Sequence, residues 1–368
     1  MLTQELIVEA GRQLTICNAC RYCEGYCPVF PAIELRREFG KGDVVFLSHL
    51  CHDCRACYHA CMYSPPHEFS INLPKIMAEV RVESYEDWSW PALLGRSFTD
   101  ARVSTSLTVF AVVAVFILSI TVLGPVRFFS RHVGSGAFYQ VIPFTAMLIP
   151  ALSLSFYSVA IWISGGFRFW LEAEHRKVAS VHALDFAKAL TDSLSLKWLK
   201  GGGPGCYYPK AMPSLSRRIY HSFVSYGFLL DLLSTTLAAI YQDILHRIPP
   251  YSVTSAPVIF GTLGGIGIVI GVGGLISLKL KSDGEPAAPR MRSLDYAFLV
   301  ILGLTSLSGL VLLVVRDTLA MATALAIHLG LVAALFLTIP YGKFIHALYR
   351  FVALVLLRAQ AARSPVKT

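Results

Sequence analysis

Charge is scarce in this chain. Of its 368 residues only 15% are Asp, Glu, Lys or Arg, while 55% are hydrophobic, and the mean hydropathy is +0.57. A soluble chain of this length needs more charge to cover its surface, so the composition points to a membrane protein. Cysteine is scarce as well beyond residue 61: eight of the nine cysteines lie between residues 17 and 61, and the ninth is Cys206. The opening stretch MLTQELIVEAGRQL lacks a basic segment followed by an apolar core, which excludes a secretory leader there. Internal repeats and low-complexity tracts are missing too. The net charge of +9 does not indicate nucleic-acid binding, because most Lys and Arg stand between long apolar runs, where they set topology instead.

Six apolar stretches are present, near 103–123, 138–163, 219–241, 257–280, 294–315 and 319–341. Each is about 20 residues or more, enough for a helix to cross the hydrocarbon. Basic residues then orient them. The connections 164–218 and 281–293 and the C-terminal segment hold seventeen Lys and Arg, including Arg168, Arg176, Lys177, Arg363 and Lys367; the opposite connections hold only Arg127, Arg131, Arg247 and Arg316. The rich side is expected to be cytoplasmic, which puts the cysteine segment there also, where disulfides are rare and metal binding is common.

The expected organisation is a cytoplasmic cysteine domain over 1–90, an interfacial linker over 91–102, a six-helix membrane domain over 103–350 with a cytoplasmic connection at 164–218, and a cytoplasmic tail over 351–368. Trp88 and Trp90 suit a headgroup-level belt or a packed linker. RFWLEAEHRKVASVHALDFAKAL has helical spacing of apolar residues and suits the membrane surface. GGGPGCYYP reads as a tight irregular turn in which Cys206 is structural. In the fourth stretch, Gly261-x3-Gly265 and Gly267-x3-Gly271 have the spacing that lets helices approach closely, or simply make a Gly-rich helix.

The cysteines carry the most specific pattern. Cys17, Cys20, Cys23 and Cys27 follow C-x2-C-x2-C-x3-C-P, and Cys51, Cys54, Cys57 and Cys61 repeat the spacing with Met62 in place of the proline. This is the run of two-cluster ferredoxins, in which the fourth cysteine of each run serves the other cluster. Three thiolates at steps of three wrap one cubane while the fourth, one residue further on, points away. The expected sets are therefore Cys17, Cys20, Cys23 and Cys61 for one [4Fe–4S] cluster, and Cys51, Cys54, Cys57 and Cys27 for the other. Zinc is the competing reading, but zinc sites usually pair two C-x2–4-C knuckles across a spacer, which fits two triple runs poorly. The segment between the runs contains a candidate helix near 32–39, so an α-helical domain is expected.

Ionisable residues inside membrane helices are functional candidates. His221 lies near the cytoplasmic start of the third stretch and Asp231 near its mid-depth. Asp231 suits a proton relay, a quinone headgroup, or a polar neighbour in the bundle. His328 and His346 are 18 residues apart; on one continuous helix that is five turns, one face, and roughly 27 Å. Depth pairs His221 with His346 as axial ligands of a b-type haem. His328 has only His246 as a candidate on the third helix, and His246 overshoots equal depth by about 10 Å. His132, His175 and His182 are expected on the surface.

Two ferredoxin runs, six membrane stretches, and the segments GGGPGCYYP, SRRIYHSF and IPYGKFIHALYRF together resemble the tricarballylate-utilisation protein B / citrate-utilisation B family over nearly the whole chain. The resemblance implies two [4Fe–4S] clusters, b-type haem and electron transfer from the reduced flavin of an FAD-dependent dehydrogenase, acting on tricarballylate or a similar carboxylate, into the bacterial inner membrane. Family members often have a histidine beside the position of His221 and another near Gln242; here Tyr220 and Gln242 stand there. The expected fold is all-α: an α-helical two-cluster ferredoxin domain, then a six-helix cytochrome b-like bundle. The expected function is electron transfer to a membrane acceptor such as quinone, surrounded by membrane lipid. The alternatives are the membrane anchor subunit of a permanent multi-subunit reductase and a zinc-stapled transporter or sensor.

Overall fold

The computed structural model describes residues 2–173 and 181–361. His175, Arg176, Lys177, Arg363 and Lys367 lie outside the described residues. The described residues are all-α apart from one two-residue strand pair, in which Cys206 and Tyr207 face Ser214 and Pro213.

The head begins with α1 (Gln4–Cys20), α2 (Val29–Glu34), α3 (Lys41–Leu50), α4 (Ala56–His59) and α5 (Leu73–Trp88). The expected helix near 32–39 is displaced: α2 ends at Glu34, and α3 begins only after Gly40. Asn72 caps α5 by accepting from Lys75 N, as short polar side chains at helix starts do. One apolar core unites Leu14, Ile33, Val44, Leu47, Met77 and Val80 from four of these helices.

Next come α6 (Ala92–Phe98), α7 (Ala101–Leu123), α8 (Pro125–Phe128), α9 (Ala137–Val141), α10 (Phe144–Ala173) and α11 (Ala183–Leu194), followed by α12 (Ser216–Ala239), α13 (Ala256–Leu280), α14 (Pro289–Val315), α15 (Met321–Thr338) and α16 (His346–Ala361). Among the described residues seven helical segments are long and apolar enough to cross a membrane: α7, α10, α12 with its π-helical extension to Ile244, α13, α14, α15, and Lys343–Ala361. This is a membrane protein. Six of the seven correspond to the six apolar stretches. The seventh, α16, packs into the head instead, because its Ala353, Leu354, Val355 and Leu356 belong to the same core as α1, α3 and α5. Its polar residues are held there too: Gln360 accepts from Arg36, and Arg358 pairs with Asp192 of α11.

The sixth stretch departs from expectation. A continuous helix through Pro340 would place its ring against the carbonyl of residue i−4 and lose a donor. The helix stops at Thr338, whose carbonyl accepts from both Tyr341 N and Gly342 N. A 3-10 turn at Lys343–Ile345 then leads into α16. His328 and His346 therefore sit on different helices, and the five-turn alignment is overturned.

Helix α12 lies against α13 with almost no space between backbones. A Cβ on Gly264 would stand 2.7 Å from Gly227 O, and one on Gly271 would stand 2.6 Å from Tyr220 O. Small residues permit this approach. Of the expected pairs, Gly261, Gly267 and Gly271 face α12, while Gly265 faces Leu310 of α14.

Of three smaller expectations, the surface place of His132 changes. Trp88 is buried among His49, Phe169 and Tyr349, while Trp90 is exposed. His132 is buried and hydrogen-bonded to Gln140 and to Arg127 O. His182 is exposed, as expected, at the start of α11.

Candidate functional site: two thiol sets and a histidine pair

Local backbone brings the thiols together. Cys17 and Cys20 occupy the last turn of α1, three residues apart and so on one face. Arg21 then turns left-handed at φ 55° and carries the chain round to Cys23. In the second run Cys51 closes α3, and Asp53 and Arg55 adopt φ 52° and 62° on either side of Cys54. Non-glycine residues in this region are uncommon and concentrate at functional sites.

Cys17, Cys20, Cys23 and Cys61 line one small cavity of about 30 Å³, with Cys57 also on its wall. Cys27 lies away from that group. Its buried thiol is pushed well up by desolvation and by Cys54 and Cys51 beside it. Cys17 and Cys23 are likewise pushed up to about 12, by burial first and then by neighbouring sulfurs that include Cys61. Crowded, desolvated thiols hold their protons until a cation replaces them. Zinc draws four ligands onto one ion, with Zn–S of about 2.3 Å. Among the described residues no His, Cys, Asp or Glu group of three or more is gathered that closely. The donor set is all sulfur, which suits a cluster.

The two sets differ in exposure. In the first set Cys20 is exposed, Cys17 and Cys61 half-buried and Cys23 buried; in the second Cys27, Cys51 and Cys54 are buried and Cys57 half-buried. The buried set faces the membrane domain. Arg350 of α16 donates to Cys51 O at 2.6 Å, Arg217 of α12 donates to Asp53 O at 2.6 Å, and Arg81 donates to Ser48 O and Cys51 O. The turn expected at GGGPGCYYP braces the same loop: Tyr207 N donates to Cys54 O at 2.9 Å, and the Arg55 guanidinium stacks on Tyr208. Cys206 is buried, with its thiol toward Leu199 O.

Behind that loop lies a cavity of about 310 Å³, within the size range of small-molecule and cofactor sites. His221 of α12 and His346 of α16 line it, with ring centroids 6.4 Å apart and planes at 89°. Nδ1 of His221 is bonded to Ser225 Oγ at 2.9 Å, and Nδ1 of His346 to Lys343 O at 2.5 Å. Both Nε2 atoms are thereby left for a ligand, as in metal sites where the second ring nitrogen fixes orientation.

The other membrane candidates are not brought together. His328 packs between α15 and α14, its Nδ1 bonded to Ser308 Oγ at 2.9 Å, with Gly309 against its ring. His246 is exposed in the loop beyond the π-helical turn, at φ 52°. Asp231 is half-buried, its carboxylate against Gly264 of α13.

A helical head with two ferredoxin thiol sets, set on a bundle of membrane helices, defines the class: a membrane-bound iron–sulfur electron-transfer protein. The comparisons carry this to a family. A model of the "Citrate utilization protein B" family matches residues 99–366, and its "Fer4-like domain" model matches residues 10–87. Citrate utilization protein B of Escherichia coli is 42% identical over 351 residues, covering 94% of this chain and 90% of that protein. No solved structure matches. The chain belongs to the citrate utilization protein B family.

Sequence reasoning missed two features of the site. The cationic cavity wall is assembled from five separated segments, and no local pattern reveals it. The brace by residues 201–209 was hidden as well, although an irregular Gly-rich segment with two tyrosines beside a cysteine is the kind of loop that packs against another domain.

Proposed function

We propose that the protein reoxidises the reduced flavin of a carboxylate dehydrogenase at its head and delivers the electrons to quinone in the membrane. Cys17, Cys20, Cys23 and Cys61 would hold one [4Fe–4S] cluster, and Cys51, Cys54, Cys57 and Cys27 a second. His221 and His346 would hold a b-type haem. Bound clusters and haem iron supply one-electron chemistry, which is what linking a two-electron flavin donor to a membrane acceptor requires.

The chain's own residues arrange this. The half-exposed thiol set of Cys17, Cys20, Cys23 and Cys61 offers the donor side. The buried set is joined to the cavity by Arg350 and Arg217, so the polypeptide leads inward from the solvent face to the histidine pair. Cys27 and Cys51 of the inner set are buried in the apolar core of the head. The observation that carries the reading is the histidine pair. With a metal–nitrogen bond of about 2 Å and roughly 1.1 Å from nitrogen to ring centre, two imidazoles on one iron have centroids about 6 Å apart, and His221 and His346 stand at 6.4 Å. His328 and His246 have no such relation, so the proposal holds one haem.

The excess of basic residues on one side supports a cytoplasmic head and N-terminus on a bacterial inner membrane. On α11, Phe186, Leu190 and Leu194 are exposed while Asp185, Ala189 and Asp192 face inward, as expected of a helix lying at the lipid interface.

The test is reduction of a quinone analogue by proteoliposomes of the purified protein, with a reduced flavoprotein outside. Protein-dependent quinone reduction that disappears in His346→Ala is expected. Full quinone reduction by that variant contradicts the route.

A further inference from the structure

The cavity between head and bundle is polar at one end and apolar at the other. Three helices show it independently. On α12, Arg217 and His221 precede Phe228 and Leu229; on α13, Leu275 lies inside Lys279; on α14, Asp295 lies outside Leu299 and Leu302. The polar end abuts the Cys51–Asp53 loop through Arg350 and Arg217.

That end is also short of negative charge. Among its described lining residues are five cations, Arg81, Arg217, Lys279, Lys343 and Arg350, against two carboxylates, Asp53 and Asp295. Asp295 is shared by both lysines, at 2.5 Å from Lys279 and 3.0 Å from Lys343. Arg81, Arg217 and Arg350 donate to backbone carbonyls instead, with the Cys51 and Cys206 thiols as further partners of Arg81 and Arg217. Buried cations without a counter-charge are costly, so the wall calls for an anion. Two donors are moreover left unused: Arg350 Nε and the Tyr85 hydroxyl are buried without a hydrogen-bond partner, and Tyr85 is 1% exposed. Both residues line the cavity.

We infer that this wall is a clamp for the two carboxylates of a tetrapyrrole, formed by Arg217, Lys279, Lys343 and Arg350 with the Tyr85 hydroxyl. The inference rests on the haem reading above and adds the direction of the ligand: carboxylate edge toward the Cys51 loop, apolar edge toward the bilayer centre. Arg350 would then touch both the carbonyl of a cluster-binding cysteine and the carboxylate edge. It is a positioning residue, since it meets iron at neither site.

The test compares two ligands that differ only in those carboxylates. Full-length protein made in a host unable to synthesise haem, purified anaerobically with its iron and sulfide present, is titrated with haem and with iron protoporphyrin IX dimethyl ester while the Soret band is followed. Haem is expected to give a six-coordinate low-spin spectrum, and the diester to bind at least 100-fold more weakly. A Lys343→Gln/Arg350→Gln variant that keeps its helical circular dichroism is expected to narrow that gap below 10-fold. Equal affinity of haem and diester for the unaltered protein overturns the clamp and assigns the cations to the neighbouring cluster, leaving the haem reading intact. A protein that retains iron and sulfide yet gives no low-spin spectrum with haem overturns the haem reading itself.

Discussion

The imidazoles of His221 and His346 meet edge to face across the cavity with centroids 6.4 Å apart, each steadied through Nδ1 by an acceptor or hydroxyl on its own segment. The break at Pro340 makes the meeting possible. It ends α15, starts a new helix at His346, and swings that helix beneath the head.

Under the proposed haem reading, replacing either member of the pair would remove a residue that holds the iron. His221→Ala and His346→Ala are each expected to abolish the low-spin haem bands in reduced-minus-oxidised spectra while leaving iron and acid-labile sulfide unchanged. His328→Ala and His246→Ala are expected to keep the bands, because those rings point elsewhere.

The thiol sets cross between the two cysteine runs, and that crossing has a signature. Cys61→Ser is expected to lose the same low-temperature EPR signal as Cys20→Ser, its partner on the first cavity wall. Cys27→Ser is expected to match Cys54→Ser. Each variant should lose about half the labile sulfide, as one of two clusters disappears. Pairing of Cys61→Ser with Cys54→Ser would show that each run serves its own cluster.

Contact between α12 and α13 depends on the missing side chain of Gly271. Gly271→Leu forces a bulky group onto Tyr220 O and Val224. The expected cost is about 1–3 kcal/mol, read as a lower midpoint of thermal unfolding in detergent. Because His221 follows Tyr220 directly, haem retention should fall in the same variant. Gly273→Leu, where no atom lies within 4 Å of the added Cβ, is the control and should change neither.

The Tyr349 hydroxyl is buried without a hydrogen-bond partner, among His49, Trp88 and Phe169. Leaving a buried polar group unmade costs roughly 1–3 kcal/mol. Tyr349→Phe is therefore expected to unfold at the same temperature as the parent or higher. A large loss of stability would mean that the hydroxyl has a partner in the assembled protein.

Much of this architecture is legible in one dimension. Membrane helices announce themselves by length and hydropathy, and the cysteine runs by spacing, since both are local patterns with strong physical constraints. His221 and His346 could be paired by depth alone. What could not be read arises from long-range packing. Most of α16 falls in the segment expected to be a cytoplasmic tail, yet its apolar face completes the core of the head, and only the position of α1, α3 and α5 reveals this. Trp88 could be read as an interfacial anchor or as a packed residue, and the space it fills beside His49 is one that distant residues create. His132 looks like a surface residue in a polar loop, yet Gln140 and the Arg127 carbonyl enclose it. The polar end of the cavity gathers cations from five separate segments, each ordinary by itself.

The measurement closest to the centre of this account is dithionite titration of anaerobically purified protein, followed together by EPR and optical absorption, with iron, sulfide and zinc determined on the same sample. Two interacting iron–sulfur signals alongside one low-spin bis-histidine haem per chain is the expected result. A colourless preparation holding zinc, with neither labile sulfide nor a Soret band, would contradict it.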